Sequence, residues 1–529
     1  MSKLTDKLKK HVIPQNEALI DYKKRVIDSK SASYCGAKWY NATIWLGHGD
    51  TTSCHHPPAQ PISLEEIKTN PSAIHNTKHK KEMRKMMQEG IRPNECEYCW
   101  KVEDIGKDLI SDRVMKTKTF SEEDNQKAFE MDYNEDCTLK TLEISFDRTC
   151  NFACSYCNPS FSTTWVKDIK KYGPYQNIVS DGRSHFTSTM PGAKSVGKTE
   201  EENPYIQAFW KWWESDLQYN LEELRITGGE PLMAGSVWKL FDWFKDNQDK
   251  AQRMRFAINS NLVPKDGLID RLIEASHHVP NFDLYTSQES IGVQSEYIRD
   301  GMHFDTWKSN VERLITEGSV NQIVCMSTIN SLCLASLVDY LNVSKEIKRK
   351  YGNRYLTVSL NVLRFPSFQS CAILPVPIKQ KYKNDLEKWL TDTKASHATD
   401  RDPTGSYLYN EWEYAQVQRL IDYLDVIKTP HAATADTPKL YNDFKTFYHQ
   451  YDIRRGKNFH KTFPKEFTDF FDSIPGELLT EDAILNADVN KVKQQQQIIA
   501  SDRGAEYHEQ DLNAKNGSGY VSDEVKGKK

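Results

Sequence analysis

No stretch of this 529-residue sequence stays apolar for long enough to cross a bilayer. Charge of either sign is not in excess. Lys and Arg number 70 against 74 Asp and Glu, leaving −4, a balance that gives no general affinity for polyanions. Neither a nucleic acid nor a membrane is therefore expected as a partner. Residues 1–30 carry Leu4, Leu8, Val12, Leu19, Tyr22 and Val26 in an amphipathic, helical pattern, but they lack the apolar h-region of a signal peptide. Internal repeats are absent too. The eleven cysteines gather in clusters and do not make a paired framework. Without an export signal they read as reduced thiols and metal ligands, and a cytoplasmic setting is expected. The aromatic content excludes a disordered chain, and the length suits two or three domains with a sizeable core.

The chain is organised around Asp147-Arg148-Thr149-Cys150-Asn151-Phe152-Ala153-Cys154-Ser155-Tyr156-Cys157-Asn158-Pro159, three cysteines at C-x3-C-x2-C spacing. Thr141-Leu142-Glu143-Ile144-Ser145-Phe146 before it alternates like a strand. Phe161, Trp165, Ile169 and Tyr172 after it recur at helical spacing. The cysteines are thus expected in a loop at the carboxyl end of a strand, where α/β architectures build their sites. Three thiolates are one short of the four that fill a tetrahedral zinc site or cap every iron of a cubane. A [4Fe–4S] cluster on three cysteines keeps one iron for a non-protein ligand. The spacing alone leaves open a zinc knuckle with a distant fourth ligand, or three unrelated thiols.

Further strands end in polar clusters. Leu224-Arg225-Ile226-Thr227 runs into Gly228-Gly229-Glu230-Pro231, where two glycines permit close approach to a ligand or form an ordinary turn. Residues 254–258 end in Asn259-Ser260-Asn261, and 282–285 in Thr286-Ser287-Gln288-Glu289. Residues 322–327 end in Thr328-Ile329-Asn330, and 356–361 end near Arg364. Helical patterns lie between, near 233–247, 266–276, 305–318 and 334–350. This alternation implies βαβ units and a parallel sheet with the polar clusters on one rim. Ser260 and Asn261 equally suit the N-cap of the next helix. Arg299, in Glu296-Tyr297-Ile298-Arg299-Asp300-Gly301, reads either as a surface arginine or as an anion contact.

Cys150-x3-Cys154-x2-Cys157 with Tyr156, followed by Gly228-Gly229-Glu230-Pro231 and Ser260-Asn261, resembles the radical S-adenosylmethionine (SAM) superfamily over about 140–365. The resemblance implies that Cys150, Cys154 and Cys157 hold a [4Fe–4S] cluster whose open iron is chelated by SAM. It implies Tyr156 near the adenine, and Gly228, Gly229 and Glu230 around the methionine amino group. Ser260 and Asn261 would stand at the ribose, with Ser287 and Glu289 as further ribose or carboxylate contacts. The activity implied is reductive cleavage of SAM to methionine and a 5′-deoxyadenosyl radical that takes hydrogen from a substrate. An external electron donor of the flavodoxin or ferredoxin kind follows from it.

A second constellation occupies 34–100. Cys35 opens a segment leading to the strand-like Ala42-Thr43-Ile44-Trp45-Leu46. A turn then leads to Thr51-Thr52-Ser53-Cys54-His55-His56. Hairpin closure brings Cys35 toward Cys54. A basic helical segment near 74–89 precedes Cys96-Glu97-Tyr98-Cys99, and the four thiols make a full ligand set for zinc or a second cluster. His55 and His56 are alternative ligands. With Lys81-Glu82-Met83-Arg84-Lys85, the segment resembles the twitch or SPASM auxiliary-cluster module. That module commonly follows the barrel, whereas here it precedes it. The resemblance implies an auxiliary [4Fe–4S] cluster on Cys35, Cys54, Cys96 and Cys99, serving electron transfer or structure, and a peptide or protein substrate.

Cys137, Cys325, Cys333 and Cys371 read as buried, inert thiols. Residues 173–204 form a polar insertion, and the aromatic run Ala208–Trp213 reads as core packing. Residues 366–475 are helical, Arg454-Arg455-Gly456-Lys457 reads as a solvated basic spot, and the tail from about 490 as disordered. The expected architecture is α/β: a partial (β/α)6 barrel over 138–365, an auxiliary module over 31–110, a helical N-terminal segment over 1–30, a helical region over 366–480 and a tail over 490–529. The competing readings are a non-catalytic zinc or iron–sulfur electron-transfer protein, and a radical SAM enzyme acting on a small metabolite or carbohydrate.

Overall fold

The computed structural model describes residues 17–106, 109–178, 186, 199–265, 267–426 and 437–501. They form two compact units, 17–144 with 199–224, and 145–178 with 186 and 225–501. The sequence reading places 199–224 within the barrel segment, but by contact they fold with the N-terminal unit.

In the first unit, β1 (Asn41–Trp45) pairs antiparallel with β2 (Asp50–Thr52), Thr43 opposite Thr52 and Trp45 opposite Asp50; β3 (Gln60–Pro61) adds to β2. Ala42 and Ile44 are buried while Asn41, Thr43 and Trp45 are half-exposed, the period of two of a half-buried strand. Gly49 makes the turn with φ +77°, and a β-carbon there would strike the Tyr205 ring at 2.2 Å. The helix Lys78–Gln88 is capped by Thr77, whose hydroxyl accepts from Lys80 N. Tyr34, Trp39, Met87, Trp100 and Phe120 share one core. In the helix Pro204–Trp212 and the turn after it, Phe209, Trp212 and Trp213 are buried, so the aromatic run is core packing.

The strands β4 (Thr141–Ser145) and β6 (Glu223–Thr227) carry the chain into the loops of the second unit. Four more strands follow at the expected places: β7 (Arg255–Asn259), β8 (Phe282–Thr286), β10 (Gln322–Ile329) and β11 (Tyr355–Val362). Two short ones, β5 (Ala153–Cys154) and β9 (Arg299–Asp300), pair with each other. β7, β8, β10 and β11 lie side by side and parallel, with Phe256 opposite Phe282 and Leu284 opposite Ile323. Burial is continuous over Phe256, Ala257 and Ile258, as in parallel strands covered on both faces. Helices Gly235–Asp246, Leu268–Ser276, Phe304–Thr316 and Leu337–Tyr351 fill the connections. The fold is therefore α/β with a parallel sheet, a cysteine-rich N-terminal region and a helical C-terminal region, as the sequence implied.

The four remaining cysteines, Cys137, Cys325, Cys333 and Cys371, are buried. Among the described residues, no helix is long and apolar enough to cross a membrane.

Three expectations need correction or restriction. Arg454 and Arg455 do not form a solvated spot: their side chains are 0% and 7% exposed. They close the helix Thr437–Arg455 onto Asp168, because Asp168 and the carbonyls of Gly173 and Pro174 supply acceptors that water would otherwise provide. The tail is helical over Val489–Ser501, and 502–529 lie outside the described residues. So do 1–16 and most of the 173–204 insertion; of the insertion, Phe186 packs against Trp165 and Phe447.

Candidate functional site

The cysteine loop begins where β4 ends. Asp147 accepts from Thr149 N at 2.7 Å and from its hydroxyl at 2.9 Å, closing a turn of the Asx type. Cys150 N donates to Thr163 Oγ1 at 3.2 Å, and Thr164 Oγ1 donates back to the Cys150 carbonyl at 2.7 Å. Ser162 caps the helix Thr163–Tyr172 and donates its hydroxyl to the Phe152 carbonyl at 2.6 Å. The loop is thus bound to the start of the helix that follows it. Cys154 pairs with Arg299 across β5 and β9, and its carbonyl accepts from Trp165 Nε1 at 3.0 Å.

Cys150, Cys154 and Cys157 are half-buried and stand within charge range of one another. Burial pushes Cys154 up to about 11 and Cys157 up to about 12, and Cys150 rises as well. Against that trend, the Arg299 guanidinium, whose Nη1 lies 3.8 Å from Cys154 Sγ, favours the Cys154 thiolate. Among the described residues, the group of metal-ligating side chains with three donor atoms within 4.8 Å of one another is His55, His56 and Asp112.

The glycines after β6 face the cysteine loop. A β-carbon on Gly228 (φ +119°) would lie 2.4 Å from Ser145 Oγ, and one on Gly229 would lie 2.2 Å from the Thr149 carbonyl oxygen. Glu230 N donates to that same oxygen at 2.7 Å. The Glu230 carboxylate is buried, accepting from Leu232 N at 3.1 Å, Ser260 Oγ at 2.8 Å and Asn261 N at 2.7 Å. Burial outweighs these donors and pushes its carboxyl up to about 7. Asn261 Nδ2 donates to Asn151 Oδ1 at 2.8 Å, and Asn151 Nδ2 to the Val263 carbonyl at 2.7 Å. Ser260 and Asn261 therefore tie the ends of β6 and β7 to the cysteine loop. They do not cap the next helix, which starts only at Leu268.

After β8, Glu289 is fully buried and takes Arg299 on both oxygens, with Nε at 3.1 Å from each and Nη2 at 2.8 Å from Oε2. Tyr156 donates its hydroxyl to Glu289 Oε1 at 3.0 Å, and the Arg299 guanidinium lies 5.5 Å from the Tyr156 ring. The surface reading of Arg299 is excluded, because its side chain is 6% exposed. Ser287 is half-buried on the same turn. Two groups result: Glu230 with Ser260, Asn261 and Asn151, and Tyr156 with Glu289, Arg299 and Cys154.

In the first unit, Cys35, Cys54, Cys96 and Cys99 line one pocket together with Lys38 and Arg113. Burial pushes Cys99 up to about 12, and Cys54 and Cys96 also rise. The buried Lys38 is paired with Glu95, whose second oxygen holds His79 Nε2 at 2.6 Å. Arg113 is held by Glu103 at 2.6 Å and donates to the Tyr34 carbonyl at 2.8 Å. Two buried cations thus face four thiols, as an anionic tetrathiolate centre requires. The donor set fits either a closed zinc site or a fully ligated cluster. His56 lines the same pocket. Sequence reasoning missed Asn151, Lys38, Arg113 and Asp112. Only Asn151, next to Cys150, carried a positional hint.

No family model matches the sequence. It is 21% identical over 206 residues to the probable GTP 3′,8-cyclase of Methanococcus maripaludis (strain C7), covering 38% of this chain. The chain thus spans 55% of that relative's length. Among solved structures, it is similar to native anSMEcpe with bound AdoMet (15% identity, 50% of this chain and 64% of that one, TM-score 0.31). Streptococcus suis SuiB bound to S-adenosylmethionine is matched at 12% identity over 58% and 62% of the two chains, TM-score 0.31. The cysteine triplet at the end of β4 and the parallel α/β core agree with the radical SAM resemblance read from the sequence, and the distant similarity to a probable GTP 3′,8-cyclase is compatible with it.

Proposed function

We propose that Cys150, Cys154 and Cys157 hold a [4Fe–4S] cluster at which SAM is cleaved reductively, and that the enzyme then takes hydrogen from a substrate. The observation carrying this reading is the gathering of three half-buried thiols in one loop, within charge range of one another, with Arg299 on Cys154 and Glu230 within charge range of Cys150. When bound, cluster and SAM supply methionine and a 5′-deoxyadenosyl radical. The chain's own residues position and shield them. Gly228 and Gly229 press the β6 turn onto the cysteine loop. Glu230 fixes the β7 turn through Ser260 and Asn261. We assign the amino group of SAM to this Gly228–Glu230 turn, its ribose to the turn at Ser260 and Asn261, and a further ribose or carboxylate contact to the turn at Ser287 and Glu289. Tyr156, clamped by Glu289, would flank the adenine.

For the first unit, we read Cys35, Cys54, Cys96 and Cys99 as ligands of an auxiliary [4Fe–4S] cluster in a twitch- or SPASM-like module, with Lys38 and Arg113 balancing its charge. One-electron supply would come from a flavodoxin- or ferredoxin-like donor. The module favours a peptide or protein substrate. A second reading, a nucleotide or other small metabolite, is favoured by the matched relatives, which are named probable GTP 3′,8-cyclases.

Anaerobic reconstitution with iron and sulfide tests the proposal. It expects broad visible absorption, and methionine with 5′-deoxyadenosine after reduction in the presence of SAM. Cys154→Ala should abolish that cleavage. Cleavage at the normal rate by Cys154→Ala would refute the assignment. A non-catalytic metal protein would bind iron or zinc and leave SAM intact.

A further inference from the structure

His55, His56 and Asp112 form a group of nitrogen and oxygen donors beside the four thiols, with His56 and Asp112 lining the same pocket. Its three donor atoms lie within 4.8 Å of one another. His55 Nε2 is 3.2 Å and His56 Nε2 2.7 Å from the same atom, Asp112 Oδ2. Donors bound to one tetrahedral zinc at about 2.0–2.1 Å stand about 3.3 Å apart, so little movement separates this arrangement from a coordination sphere. Consecutive side chains rarely aim at one point. Here the bend at Cys54 brings both rings together, with centroids 4.1 Å apart. Tyr98 stacks on His56 at 3.9 Å and 16°, fixing that ring. His55 is 61% exposed on its side chain and Asp112 42%, which leaves an entry path and room for water as remaining ligands. Lys116, one turn on from Asp112, stands within charge range of both imidazoles and opposes a cation there.

We propose that His55, His56 and Asp112 form a mononuclear site for a zinc-class divalent cation, next to the four thiols but with none of them as a ligand. Two imidazoles and one carboxylate are a donor set for such an ion. Each imidazole would bind through Nε2 and keep its proton on Nδ1. Zinc carried by the purified protein would then reside here and say nothing about what Cys35, Cys54, Cys96 and Cys99 hold.

The test uses the full chain, reconstituted anaerobically with iron and sulfide, equilibrated with Zn2+ and desalted. Elemental analysis should find about one zinc per chain beyond the iron. Zinc K-edge absorption should show a shell of nitrogen and oxygen at about 2.0–2.1 Å and no sulfur at about 2.3 Å. Asp112→Asn and His55→Ala should each weaken zinc binding tenfold or more with iron content and melting temperature unchanged. Lys116→Gln should bind zinc more tightly. Absence of the extra zinc, a sulfur shell around it, or wild-type zinc binding by Asp112→Asn would each overturn the proposal. None of these outcomes bears on SAM cleavage.

Discussion

Gly229 leaves no room for a side chain against Thr149: a β-carbon would sit 2.2 Å from the Thr149 carbonyl oxygen and 2.7 Å from the carbonyl carbon of Arg148. Both obstacles are backbone of the cysteine loop, and Glu230 N already donates to the same oxygen at 2.7 Å. The two turns are therefore one structural object, held together by the absence of an atom.

Gly229→Ala should accordingly lose about 1–3 kcal/mol of stability or more, as overpacking against fixed backbone does. Iron uptake by Cys150, Cys154 and Cys157 should fall with it. Gly106→Ala is the control, since its nearest neighbours, on Leu109, are 3.8 and 4.0 Å away. Denaturant midpoints and iron content of the two variants decide the matter; equal behaviour would remove the steric argument.

The Glu289–Arg299 pair is buried on both sides, 0% and 6% exposed. Glu289→Gln strands a guanidinium beside Cys154 and should destabilise the fold by about 3–5 kcal/mol. Arg299→Met should cost a similar amount, and the double variant less than the sum, because the remaining charge disappears with its partner. Additive losses in this cycle would show that the pair is not coupled.

Glu230 titrates with the fold. Its carboxyl is pushed up to about 7 by burial, above the ordinary glutamate range. The folded state therefore binds more protons than the unfolded state between about 4.3 and 7. The stabilising contribution is full below that window and is lost as pH rises through it, by about 4 kcal/mol at most. The stability of Glu230→Gln relative to wild type should thus increase from pH 5 to pH 8. A difference flat across that range contradicts the assignment.

Arg454 reaches Asp168 at 3.2 Å and the carbonyls of Gly173 and Pro174 at 3.0 and 3.1 Å. Arg455 joins Asp168 to Asp300 at 3.3 and 2.7 Å. Arg454→Ala should destabilise by about 3–5 kcal/mol by leaving Asp168 partly unpaired in the core. Arg454→Lys should recover only part of this, since an ammonium cannot fork across three acceptors. A melting temperature unchanged in Arg454→Ala would return these arginines to the solvent.

Much of the scaffold was legible in the residue order. Strand alternation at Thr141–Ser145 and the β-rich run at Gln322–Ile329, with helical periodicity between them, follow from local preferences that act over a few residues. The C-x3-C-x2-C triplet and the C-x2-C pair were legible as thiols that share a loop, because their spacing alone fixes that much. Long-range pairings were not legible. Nothing near Arg299 in sequence names Glu289 or Cys154 as its neighbours. Nothing near Arg454 names Asp168, 286 residues away, and a basic tetrapeptide looks the same whether solvated or buried. The roles of Gly229 and Asn261 were likewise decided by which backbone approaches them.

The sequence by itself determined the alternation of strands and helices and which thiols share a loop, because both are set within a short window. Only the tertiary structure decided that Asn261 grips Asn151, that Lys38 and Arg113 face four thiols, and that His55, His56 and Asp112 converge. These are meetings of side chains from distant segments, and burial fixes them through the cost of leaving a charge or a hydrogen-bonding group without a partner.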